Sequence, residues 1–198
     1  MANEHQLKQT RGKLEQSKKY ELLTNDTIEL GGGVTLFRIK ALISFGNVEK
    51  GELGGYVEKE DNLCHSGNAW VTGNARVYSN ARVFGDAWVT GDAWVTGNAK
   101  VYGNARVYSN ADVSGNAKVY DNALVSGYAK VTDNARVYSN ARVFGDAKVY
   151  DNAKVTDNAL VYGNAKVTGN AEVTSIAWVT GNAKVTGNAK VSGGELLN

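Results

Sequence analysis

The sequence predicts an all-β protein, a single-stranded parallel β-helix, and three observations carry that prediction. From Gly67 to Ser192 one hexad, Gly-Asn-Ala-x-Val-x, is written 21 times with small changes. Within each hexad alanine and valine stand two apart, the spacing at which a strand points both side chains to one side. The pair before alanine is Gly, Ser or Asp followed by Asn or Asp, residues that tolerate positive φ and bond their own backbone in tight corners. An amphipathic helix is excluded, because apolar positions at a period of six leave any one face at 3.6 residues per turn. A β-solenoid remains, with an interior column of Ala and Val. Its outward positions, between alanine and valine and after valine, vary among Lys, Arg, Trp, Leu, Thr, Tyr and Ser.

Taken in order, residues 1–19 are polar, with Leu7 and Leu14 their large aliphatics, and predict a polar helix or flexible tail. Gly12 weakens the helix, and two leucines fall short of a sustained heptad seam. Residues 20–66 predict a small β-rich cap. YELL, the turn-like TND and TIEL lead through GGG into VTLFRIKALISF, the pattern of a hairpin and a long strand. A cap has a physical purpose, since an open solenoid end exposes unpaired backbone and the Ala/Val column. Residues 67–192 form the solenoid. Three hexads per coil give about seven coils, roughly 34 Å of rod at a strand spacing of ~4.8 Å. Two hexads per coil satisfy the same spacing. Residues 193–198, Gly-Gly-Glu-Leu-Leu-Asn, read as a C-terminal tail at an end without a comparable cap, where stacking on another chain is expected.

Composition narrows the function classes. The net charge of +2 does not by itself point to nucleic acid, so any electrostatic argument rests on where the charges lie. A single cysteine, Cys64, excludes an intramolecular disulfide framework. No stretch approaches the ~20 apolar residues of a membrane span, and the polar start MANEHQLKQTRGKLEQ shows no apolar signal region, so a cytoplasmic location without membrane association is expected.

If three hexads make a coil, residues 18 apart stack, and the first outward position sorts into three unlike rows. One reads Trp70, Trp88, Arg106, Leu124, Arg142, Leu160, Trp178, with Ile176 in place of a corner Asn beside Trp178. Three of the four tryptophans recur there, which predicts a homo-oligomer interface of Trp70, Trp88, Leu124, Leu160, Ile176 and Trp178. A parallel trimer is the leading form and a two-fold dimer the alternative. The second row reads Arg76, Trp94, Asp112, Lys130, Lys148, Lys166, Lys184, and the third Arg82, Lys100, Lys118, Arg136, Lys154, Glu172, Lys190. Corner aspartates such as Asp121, Asp133, Asp151 and Asp157 are expected to relieve the stacked cations. The third row carries Phe84, Tyr102, Tyr120 and Tyr138 beside its charges, so Arg82, Phe84, Lys100, Tyr102, Lys118, Tyr120, Arg136, Tyr138 and Lys154 form a candidate face for an anionic partner: a host protein, nucleic acid or nucleotide. The alternative reading is structural. Tyrosine and threonine suit strands, ring ladders stabilise stacked rungs, and lysine keeps sheets soluble.

The GNAxVx hexads resemble the left-handed β-helix hexapeptide-repeat superfamily, best known for trimeric acyltransferases. The segment LFRIKALISFGNVEKGELGGYVEKEDNLCHSGNAWV, residues 36–71, is similar to the entry segment of phage and prophage hexapeptide proteins that carry an acyltransferase label. The resemblance implies left-handed, three-faced coils. The acyltransferases it resembles use a histidine on or near the solenoid as general base and an extruded loop at the acceptor site. This chain has His5 in the polar stretch and His65 before the first repeat, and its hexads run without a loop insertion. Cys64 and His65 are strand neighbours that point to opposite faces, unsuited to a nucleophile and base in contact. Two distant histidines supply no zinc site, and no cofactor or metal is expected. The sequence therefore reads as a non-catalytic binding or scaffold rod of a phage or prophage, self-assembling and acting on a host partner, as a counter-defence inhibitor of a nuclease or nucleotide-signalling component. The competing readings are an acyl-CoA-dependent acyltransferase and a purely structural rod or polymer.

Overall fold

In the computed structural model, residues 18–197 are described, and each hexad forms one two-residue strand between two tight corners. After β1 (Tyr20–Leu30), β2 (Val34–Ala41), β3 (Leu53–Val57) and a short 3-10 turn at Glu60–Asn62, strands β4 (Trp70–Val71) to β24 (Lys190–Val191) follow at six-residue intervals. They pair in parallel with the strand 18 residues on, so three hexads make a coil and three sheets line the rod. The 21 rungs give seven coils, and extra strands at each end bring the solenoid to about eight.

The three rows read from the sequence are the outer surfaces of these sheets. The apolar face runs from Trp70↔Trp88 to Leu160↔Trp178, the lysine face from Arg76↔Trp94 to Lys166↔Lys184, and the ring face from Arg82↔Lys100 to Glu172↔Lys190. Inside, alanine and valine are buried from Ala69 to Val185. From Val71 to Val173 each valine stacks on a valine of the next coil, and one such side chain contributes roughly 1.5–3 kcal/mol on burial.

The corners divide their work differently from the sequence expectation. Positive φ belongs to the first residue of the pair, whether glycine, as at Gly127 (69°), or Ser79 (61°), Asp121 (58°) and Ser175 (57°). The asparagine after it does not bond its own backbone. Its side-chain amide donates to the asparagine one coil on, in a column from Asn80 through Asn98, Asn116, Asn134, Asn152 and Asn170 to Asn188. A second column runs Asn104, Asn122, Asn140, Asn158 and stops where Ile176 takes the corner. The corner aspartates also act on backbone: Asp121, Asp133, Asp151 and Asp157 accept the amide N–H of residues 139, 151, 169 and 175. Among the described residues none of them forms an ion pair with lysine or arginine, so they are corner braces and not the counter-ions expected of them.

The N-terminal end is closed by side chains that imitate a missing coil. Within the rod, alanine, valine and first-corner carbonyls accept from the preceding coil, as Ala87 accepts from Trp70, Val89 from Thr72 and Gly91 from Asn74. On the first coil those acceptors would be orphaned, which is costly in a buried setting. The N–H groups of Tyr56 and Glu58 serve Ala75 and Val77, and that of Cys64 serves Val83. The Asn62 amide donates to Ser79 and Ala81, and the Lys19 ammonium to Gly67 and Ala69 at 3.3 and 2.8 Å. β3 lies so close to the first coil that a Cβ on Gly54 or Gly55 would come within 2.6 Å of the Val71 oxygen or 2.7 Å of the Ala75 oxygen. The antiparallel β1–β2 pair then continues the lysine-face sheet to ten strands.

Two expectations change at the ends. The sequence predicts a tail over residues 193–198, but β25 (Glu195–Leu196) pairs with Trp178–Val179 and adds an eighth strand to the apolar face. The glycine pair before it shortens the register to Trp178↔Glu195. The helix or tail expected at 1–19, with Leu7, Leu14 and His5, falls on residues 1–17 outside the described residues, while Lys18 and Lys19 lead into the cap.

Candidate functional site

On the apolar face the register sets Trp88, Arg106, Leu124, Arg142, Leu160 and Trp178 on successive rungs. Trp88, Leu124 and Leu160 are half-buried, whereas Trp178 and Ile176 are 45% and 67% exposed. A shallow groove lies between Asn47 of the cap and Trp88, Arg106, Tyr108 and Leu124, and a second beside Ile176, Trp178 and Glu195. Trp70 is a correction. It is fully buried, with Phe45 edge-on at 5.3 Å and Tyr20 at 6.3 Å, so the cap covers it and it belongs to the core, not to an interface. The sequence reading missed Tyr108 and the stacked pair Phe144–Tyr162 (4.9 Å) in the second outward row of this face. Sorting the residue after valine at 18-residue spacing, applied to every face, finds them.

On the ring face Phe84, Tyr102, Tyr120 and Tyr138 stack as a ladder, with centroids 4.8–4.9 Å apart and planes within 3°. Both faces of Tyr102 and Tyr120 are therefore occupied by neighbouring rings, which withholds the π-surface that a nucleobase would need. Burial, and for Tyr102 the nearby Asp121, hold these two hydroxyls above the usual tyrosine range. Arg82 stands over Phe84 at 5.8 Å. Lys100, Lys118 and Arg136 follow in register, and Lys154 pairs with Glu172 at 2.9 Å, which also binds Lys190 at 3.2 Å. Those two hydrogen bonds hold the Glu172 carboxyl below its ordinary range. The C-terminal end of this cation row is thus partly neutralised, with one carboxylate shared by two ammonium groups.

The cap gathers the remaining reactive side chains. The His65 ring stacks on Tyr20 at 4.4 Å, its Nδ1 accepts the Lys19 N–H, and its Nε2 lies 3.8 Å from Glu60. Burial, followed by the nearby Lys19 and Lys18, outweighs the pull of Glu60 and keeps the imidazole below its usual pKa. Cys64 turns to Ser66, at 3.1 Å. Burial pushes its thiol up, but its hydrogen bonds with Ser66, together with the positive charges of Lys19 and Arg82, bring it below the ordinary value. Among the described residues no group of three or more His, Cys, Asp or Glu is placed to hold a metal ion. None of their helices is long and apolar enough to cross a membrane.

Burial lowers the Lys19 ammonium to about 8, against the smaller opposing pull of Cys64 and Asp86. Between that value and 10.5 the unfolded chain binds a proton there that the folded chain has released, so stability rises with pH across the window. Tyr20 has the opposite sign. Burial, then Glu60, raises its phenol well above 10, so above pH 10 the unfolded chain releases a proton that the folded chain keeps, and stability falls. The melting temperature of wild type relative to Lys19→Met should climb from pH 8 towards 10. A flat difference across that range would refute the buried-ammonium account.

Fold and surface together define a parallel β-solenoid whose three long faces differ in chemistry and whose N-terminal end is closed. In keeping with that class, the family described as YdcK beta-solenoid repeat matches residues 75–91, a short stretch of the rod to which that family is similar. No curated protein matches the chain.

Proposed function

We propose that this protein is a non-catalytic scaffold rod that self-associates through its apolar face and presents its basic faces to a partner. The observation that best supports assembly is the concentration of Trp88, Leu124, Leu160 and Trp178 on one continuous sheet, with Ile176 and Trp178 exposed at its end. An apolar strip interrupted at Arg106 and Arg142, beside rows that are mostly charged, fits a surface covered in the working state. A parallel trimer follows the arrangement that the hexapeptide resemblance implies, and a two-fold dimer is the other closed form. Light-scattering mass should give an oligomer for the wild type and a monomer for the Trp88→Lys, Leu124→Lys, Trp178→Lys variant. A wild type that is already monomeric overturns self-association and leaves the strip as a docking surface for a different protein.

The narrower reading, a phage-borne rod that occludes a host defence component, rests on the likeness of residues 36–71 and on the cations of the ring face. It requires that Lys100→Glu, Lys118→Glu, Arg136→Glu abolish that inhibition, and unchanged inhibition rejects it. Acyl transfer is the competing reading and would run through His65. That imidazole packs on Tyr20 and receives the Lys19 N–H, which supports a cap role. Acyl-CoA turnover by wild type, lost in His65→Ala, would reverse the assignment.

A further inference from the structure

Four lysines of the lysine face stand in unbroken register, Lys130↔Lys148↔Lys166↔Lys184, and among the described residues none forms an ion pair. We infer that this row is a binding track for single-stranded nucleic acid, engaged through its phosphates without sequence preference. Like charges one strand spacing apart, ~4.8 Å, disfavour one another unless an anion lies along them. The ring face answers the same problem with Glu172. Here Asp112 stands beside Lys130, at the start of the row, and the next three lysines have no acidic rung.

The corners on either side of the strip favour a single strand. One corner beside it carries Asp146, and the other carries Asp133 and Asp151. A duplex laid across the strip spans both corners and meets all three carboxylates, whereas one sugar-phosphate chain along the lysines passes only Asp146, which lines the same groove. Two aromatics offer stacking platforms. Tyr128 replaces a corner asparagine, is 64% exposed and lines the same groove as the four lysines, and Tyr150 follows Lys148 and its buried valine on the outer surface. Lysines that track phosphates beside a few exposed rings are the usual means of sequence-tolerant single-strand binding.

The test is fluorescence anisotropy of a fluorescein-labelled oligothymidine of about a dozen nucleotides, near the upper range of single-strand site sizes. Wild type should bind with a log–log salt slope of about −2.8, four phosphates at about −0.7 each. Lys148→Gln, Lys166→Gln should halve that slope, and Tyr128→Asn, which restores the usual corner residue, should weaken binding about tenfold. Lys100→Glu, Lys118→Glu, Arg136→Glu should bind as wild type, which separates this track from the ring face. No binding at low salt overturns the inference. So does binding lost in the ring-face variant but kept in the lysine variant, and so does equal affinity for a duplex of the same length or for polyglutamate. The light-scattering mass reports on self-association independently of all these outcomes.

Discussion

Val131→Lys should cut the rod in two. Val131 is fully buried, in register between Val113 and Val149, within a column that alanine and valine fill on all three sides. A lysine there brings an unpaired charge and extra length into a space with neither room nor counter-ion. An uncompensated buried charge costs about 3–5 kcal/mol, against roughly 5–15 kcal/mol for a whole domain. A solenoid coil contacts its neighbours alone, so the loss stays local. The coils before Val131 keep their cap and are expected to remain folded, while those after it lose their template. Urea unfolding followed by circular dichroism should change from one transition to two, and limited proteolysis should leave an N-terminal fragment. Lys130→Gln, one residue away on an exposed position, should remain within about 0.5 kcal/mol of wild type. A Val131→Lys protein with the wild-type midpoint and one transition would contradict the sealed column.

Trp70→Ala is expected to cost about 3–5 kcal/mol, the range for emptying a buried aromatic site. The indole fills the space between Phe45, Tyr20 and the first coil, and the Lys19 ammonium lies 4.7 Å from the Phe45 ring on the same assembly. Its loss should loosen the cap and expose the first-coil carbonyls of Gly67 and Ala69 that Lys19 now serves. Oligomer mass should be unchanged under conditions where the variant is folded, because Trp70 touches no outer surface. Trp178→Lys should behave inversely, altering mass with little effect on the urea midpoint. If Trp70→Ala lowered the mass at unchanged stability, its placement in the core would be wrong.

The contrast between Trp70 and Trp178 shows where sequence reasoning reached its limit. Both occupy the same hexad position and the same 18-residue row, and a corner difference such as Ile176 where Trp70 has Asn68 says nothing of burial. What separates them is Phe45, which arrives from a loop outside the repeat and covers one of the two. The same holds for charge. Lys154 and Lys130 are equivalent in their hexads, yet Glu172 ties down the first and no acidic rung follows the second. The rows contain the residues, but the ion pair and the groove depend on side-chain placement that a row does not carry. Phe144 and Tyr162 are legible in the same way, since they stand 18 residues apart after valine on the apolar face.

By itself the sequence determined the solenoid: the six-residue rung, the Ala/Val interior and the corners, while the parallel pairing of strands 18 residues apart decided three hexads per coil and with it the three rows. A period is a local property, repeated 21 times, and each repetition constrains the backbone in the same way. The tertiary structure alone decided how the rod begins and which corner atoms bond. Lys19 reaches across 50 residues to the Ala69 carbonyl, Asn62 across 19 to Ala81, and the asparagine columns join side chains 18 residues apart. The cap's contacts have no period for a pattern to reveal, and they arise because first-coil carbonyls must find donors where the repeat has not yet supplied any.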